Sequence, residues 1–164
     1  IIQCVSDLKA LGFDVYYILV GAMYDEYASK LEKMIATQPW PSIFKMLPFT
    51  DHSTIRCLYC AADIGIWLRA AISIQQSMGT GLPIIHRKMA NVSHLLEEGK
   101  SGWYVKEGKL LATLQGAIRY VLKTDPDSRQ QYRVQLAQSN NEKYSYKKIV
   151  EKIVKKYIDL HYIE

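Results

Sequence analysis

The chain has 164 residues, 49% of them apolar and 23% charged, a globular balance with enough length for one core. No apolar run approaches the ~20 residues that a membrane-spanning helix needs. Ile1-Ile2-Gln3-Cys4 shows no basic segment followed by an apolar stretch, so no signal peptide is expected. There is no initiator Met, which suggests a piece of a longer protein. The net charge of +5 suits an anionic membrane surface, a nucleic acid or a phosphorylated ligand. No RNA-binding or helix-turn-helix motif supports nucleic acid.

Apolar spacing from Ile1 to Leu11 predicts a helix stopped by Gly12. Residues 14 to 20, DVYYILV, read as a buried strand ending at Gly21. Tyr27, Leu31, Met34 and Ile35 mark a second helix, and Ile43 to Leu47 a short strand beyond Pro39 and Pro41. A third helix around Ile55, Leu58, Tyr59 and Ala62 is expected to be capped by Thr50 or Ser53. Ile64 to Trp67 reads as a strand. A helix from about Ser73 to Thr80 follows, with Gly81 as its stop, then a strand from Leu82 to Ile85. Val92 to Glu97 is expected to be helical, ended by Gly99, and Trp103 to Val105 a last strand. Leu110 to Leu122 traces a long amphipathic helix, and two more follow at about 127 to 140 and 145 to 160.

Strands alternating with helices predict an α/β, Rossmann-like parallel sheet with helices on both faces. Ligands of such sheets bind beyond the carboxyl ends of the strands. The places to look are Gly21-Ala22-Met23, Pro48-Phe49-Thr50, Leu68 to Ser73 and His86 to Asn91. Cys57 and Cys60 form a CxxC inside a predicted helix, with no second pair or nearby His to complete a zinc site, and read as ordinary helix residues. With Cys4 they make an odd count, which fits a reducing, cytoplasmic compartment.

Short segments along the chain resemble one family. Leu58-Tyr59-Cys60-Ala61-Ala62-Asp63-Ile64 is similar to the "LYxxAD(I/V)" segment of GT-B-fold glycosyltransferases of the retaining, nucleotide-sugar-dependent group 1 family. The run from Gln76 to Ile85 is similar to that family's "EAMAxGxPVI", and Glu97 to Val105 to its "xDGxTGxLV". Tyr144-Ser145-Tyr146 and the helix after it are similar to its closing "FSW" helix, and the strand ending at Gly21 matches "xxIVG".

The resemblance covers nearly the whole chain. It implies that residues 1–164 form the C-terminal, donor-binding domain of a GT-B fold, lacking the N-terminal acceptor domain and a first strand. The implied reaction moves a hexosyl-type sugar from a nucleoside diphosphate, UDP among the candidates, to an acceptor hydroxyl, in bacterial surface polysaccharide or glycolipid synthesis. No metal or other cofactor is expected, and no DxD-type acidic pair stands at a strand end. The fragment alone is expected to be inactive, with the acceptor domain of the same protein as its partner.

By the same resemblance, the donor diphosphate meets the N-terminus of the helix opening at Ile72-Ser73, where Ser73 caps or donates to phosphate and Arg69 offers a guanidinium fork. Gln76 stands where the family has the second Glu of a pair that holds the ribose hydroxyls. An amide can still accept from and donate to a hydroxyl, but without charge. Leu68 falls at the nominal place of the first Glu. Phe49 and Thr50 are expected to border the base, with Phe49 either stacking on it or packing as a core aromatic, and Gly21 is expected to belong to the donor site. His86 points toward the cleft, whereas His94 replaces a family Glu and reads as a helix-surface residue. No catalytic residue is assigned. Two rival readings remain: an inactive GT-B-like interaction module, and an epimerase of the same architecture.

The closing helix sets Ile149, Val150, Ile153, Val154 and Ile158 against lysines. It either packs back on the protein and crosses to the other domain, or makes a peripheral contact with the inner face of the membrane.

Overall fold

The computed structural model describes residues 1–21, 26–89 and 93–160, leaving out the side chain of Leu122. The elements are α1 (Ile2–Ala10), β1 (Tyr17–Val20), α2 (Glu26–Ala36), β2 (Phe44–Leu47), α3 (His52–Ala61), β3 (Gly65–Trp67), α4 (Ile72–Met78), β4 (Ile84–Arg87), β5 (Gly102–Val105), α5 (Leu110–Lys123), α6 (Pro126–Tyr144) and α7 (Tyr146–Asp159). The Rossmann-like α/β class expected from the sequence is the one observed.

All strand pairs are parallel, but they form two ladders, β1-β2 and β3-β4-β5. A doubly wound sheet starts in its middle and winds outward in both directions. Here the middle position, between β1 and β3, holds no strand among the described residues. Helix α1 spans that position: Leu8 packs with Ile85, Leu114 and Ala117 in one apolar cluster, Ile2 and Val5 with Ile43 and Phe44 in another. Val15 touches both clusters.

Four expectations are corrected. Asp51, not Thr50 or Ser53, caps α3. Its carboxylate accepts from the amides of Ser53 and Thr54 at 2.9 and 3.0 Å, because a charged acceptor holds these amides better than a hydroxyl does. Those bonds drive the Asp51 carboxyl far below the usual range, the Ser53 side chain contributing most.

Strand β4 begins at Ile84, not Leu82, because Pro83 has no amide to give. It runs two residues further, so His86 lies inside a strand. Residues 93–99 form turns rather than a helix, and Ala90, Asn91 and Val92 lie outside the described residues. In those turns the Tyr104 hydroxyl donates to the carbonyls of Ser93 (2.6 Å) and Leu96 (3.1 Å), and Ser101 Oγ accepts from the Glu97 amide. Side chains thus satisfy backbone groups that a helix would have used. The fourth correction concerns Ser73, below.

Long-range polar contacts tie the helical layer together. Arg133 of α6 donates to the carbonyls of Tyr59, Cys60 and Ala62 and so closes the end of α3. Buried Asn140 donates to the Met78 carbonyl at the end of α4. Between them, Gly81 (φ +71°) lets the α4–β4 turn approach α6 so closely that a Cβ would stand 2.0 Å from the Arg133 carbonyl oxygen.

Candidate donor-binding edge

Within each parallel ladder the loops leave the carboxyl ends of the strands: Gly21 and Pro48 to Thr50 from β1-β2, the residues after Trp67 and Lys88-Met89 from β3-β4-β5. Met23 and Ala22, which extend the first of these loops, lie outside the described residues. The sites named from sequence fall into two sets, one on each ladder, flanking the open central position.

The first set follows β1 and β2. Gly21 has φ +87°, and its amide donates to the Leu47 carbonyl at 3.1 Å. The Phe49 ring lies 3.8 Å from where a Gly21 Cβ would stand, so the two residues meet. Phe49 is 74% exposed and therefore is not a core aromatic. Thr50 Oγ1 donates weakly, at 3.4 Å, to Asp51.

The second set follows β3. Arg69 is exposed on the β3–α4 turn, Ile72 is 78% exposed at the opening of α4, and Gln76 is exposed one turn on. Ser73 does not cap α4, which is the remaining correction. The N-cap is Ala71, without a side-chain cap, and Ser73 lies one residue inside the first turn. Its Oγ instead accepts from Trp67 Nε1 at 2.9 Å, and the Tyr59 ring packs 6.1 Å from Trp67. Burial raises the Tyr59 phenol above its usual value, while a bond to Ser73 opposes the rise. The Trp67–Ser73–Tyr59 group sets where the β3–α4 turn leaves the sheet. Spacing alone gave no hint of it, because it forms only after the chain reverses.

His86 is 2% exposed and lies in register between Trp67 of β3 and Tyr104 of β5. Neither ring nitrogen has a hydrogen-bond partner among the described residues. Burial lowers its pKa, and the nearby carbonyls of Arg87 and Arg69 oppose this. It thus lies buried beneath the carboxyl edge rather than open to the cleft as expected. His94 is exposed on a turn, its ring 6.5 Å from Tyr144. Cys57 and Cys60 are exposed free thiols on α3, and Cys4 is a half-buried free thiol.

A concavity of about 270 Å³ lies at the opposite edge, lined in part by Asp63, Pro83, Tyr120, Arg129 and Tyr132. Asp63 and Pro83 precede β3 and β4, so it opens at the amino ends of the strands. The ligand rule for parallel sheets favours the other edge despite this hollow.

Comparison with solved structures agrees with the topology. A sucrose-phosphate synthase from Thermosynechococcus elongatus superposes with a TM-score of 0.76 over 98% of this chain and 42% of its own, at 15% identity. The chain has the fold of one domain of a GT-B structure. A chain of a GtfA/B complex matches with a TM-score of 0.62 over 85% of this chain and 29% of its own, at 14% identity. The chain therefore spans less than half the length of either neighbour. No family model matches its sequence, and no curated protein does.

Proposed function

We propose that the chain is the donor-binding part of a glycosyltransferase, holding a nucleoside-diphosphate sugar for transfer to an acceptor hydroxyl. The transfer breaks the bond between the sugar's anomeric carbon and the diphosphate and forms one to the acceptor oxygen. The diphosphate leaves with the electron pair, and the acceptor loses a proton. The observation that carries the reading is the meeting of Gly21 and Phe49 at the end of one ladder and the exposure of Arg69 and Gln76 at the end of the other, in a GT-B fold.

In this reading Phe49 stacks on the base while Gly21 keeps the backbone clear of it. Arg69 forks onto the diphosphate and stabilises its growing charge, and Gln76 bonds the ribose hydroxyls. Helix α4 is only two turns long, so its free amides matter more here than any helix dipole. The acceptor, and any group that removes its proton, come from other parts of a two-domain enzyme, for which synthesis of a bacterial surface polysaccharide or glycolipid is the proposed setting.

Calorimetric titration with UDP, GDP and ADP tests this. Saturable binding of one nucleotide is expected, weakened about tenfold by Arg69→Ala and less by Gln76→Ala. A folded chain that binds none of them would favour the interaction-module reading, which the uncharged Gln76 and Leu68 already motivate.

A further inference from the structure

Helix α7, 14 residues long, has no buried residue, a property it shares with the shorter α3. At about 100° per residue, Ile149, Ile153, Tyr146, Tyr157, Val150 and Val154 fall on one continuous arc of about 140°. These side chains are between 37% and 84% exposed. Ile158, 48% exposed, lies about 20° beyond Lys147, next to Glu151. Lys156 and Lys147 stand at the two borders, and Lys148, Lys152 and Lys155 occupy the opposite face. Against these five lysines α7 carries only Glu151 and Asp159, a net +3.

Lys148 pairs with Glu151 at 2.7 Å, and Lys152 donates to the Lys143 carbonyl. No ion pair among the described residues engages Lys147, Lys155 or Lys156. No helix is long and apolar enough to cross a membrane. An apolar arc bordered by long cationic side chains suits a helix lying in the plane of a bilayer surface. Its apolar face sinks among the acyl chains while lysines reach back to the headgroups.

We propose that α7 is a membrane-surface helix whose ligand is an anionic lipid bilayer. Two features favour a bilayer over a protein groove. The arc is broad and made of β-branched aliphatics with Tyr146 and Tyr157 among them, not a few anchors at pocket spacing. The charge beside it has one sign at both borders, as an anionic surface requires. The inference does not depend on the chain binding a nucleotide.

The test is co-sedimentation of the 164-residue chain with vesicles of phosphatidylcholine alone and of phosphatidylcholine with phosphatidylglycerol in equal parts. Binding is expected only to the anionic vesicles and should weaken as salt is raised. The triple variant Lys147→Gln, Lys155→Gln, Lys156→Gln should lower the partition coefficient about a hundredfold. Ile153→Asp, at an exposed position, should abolish binding while circular dichroism and melting temperature stay unchanged. No binding to anionic vesicles by the folded chain would overturn the proposal, as would binding that neither variant alters. Self-association of the chain, removed by Ile153→Asp in the absence of vesicle binding, would also overturn it and would assign the face to a second copy.

Discussion

Along β4, Ile84, Ile85 and His86 are 1%, 0% and 2% exposed, whereas Ile18 and Val20 of β1 stand at 46% and 42%. Both strands are short apolar runs of the kind that parallel sheets bury on both faces. β4 has a strand on each side and helices over it; β1 has one strand beside it, and half of its side chains face solvent. Apolar sequence specifies the capacity for burial, and neighbours decide whether the capacity is used. The rear ladder, β3-β4-β5, is buried along β4, whereas the front ladder, β1-β2, is buried against α1 at Phe44 and exposed along one side of β1.

Glycines give the largest contrast. Gly81→Ala combines a positive φ with a Cβ driven into the Arg133 carbonyl and should cost over about 3 kcal/mol, read as a drop in the denaturant midpoint. Gly21→Ala meets only the Phe49 ring at ordinary contact distance and should cost about 1–2 kcal/mol, mostly from φ. Equal losses would erase the distinction between the ladders.

Core truncation is next. Ile85→Ala should cost about 3 kcal/mol by leaving a cavity, and Ile18→Ala under about 1 kcal/mol. A smaller, pH-dependent effect belongs to the rear ladder alone. The folded pKa of His86 lies below its ordinary 6.5. Above that value both folded and unfolded forms are neutral and stability is complete. As pH falls through 6.5 the unfolded chain binds a proton that the folded chain refuses, and stability declines by at most about 1.4 kcal/mol per unit. His86→Gln should flatten that decline in urea denaturation at several pH values, whereas the depressed carboxyl of Glu97, held low first by its bond to Lys143, acts only around and below 4.5.

Hydrogen exchange sharpens the comparison most gently. The Gly21 and Gly65 amides bond to Leu47 and Pro83, so by alternation those of Ile18, Val20 and Ile66 face the open central position. They should exchange faster than the amides of β4.

Helices α5 and α7 were legible because their apolar period extends over many turns, and the α/β class because strands and helices alternate. The split into two ladders was not legible, since an apolar run does not declare how many neighbours it has. Residues 92–97 misled because Val92, Leu95 and Leu96 keep a helical spacing, while the hydroxyls of Tyr104 and Ser101 that hold the turns come from β5 and the residue just before it. At the candidate site, the rule that ligands meet strand ends pointed to Gly21, Phe49 and Arg69, and each follows a strand in the structure. The displacement of Ser73 from capping to accepting from Trp67 depends on a side chain across the turn, which no local pattern reveals.

The most direct test of the donor-edge assignment is amide chemical-shift mapping of the chain titrated with UDP, GDP and ADP. The account predicts perturbations grouped at Gly21, Phe49, Arg69 and Gln76 for at least one nucleotide. Perturbations confined to the hollow around Tyr120, Arg129 and Tyr132, or none in a folded chain, would contradict it.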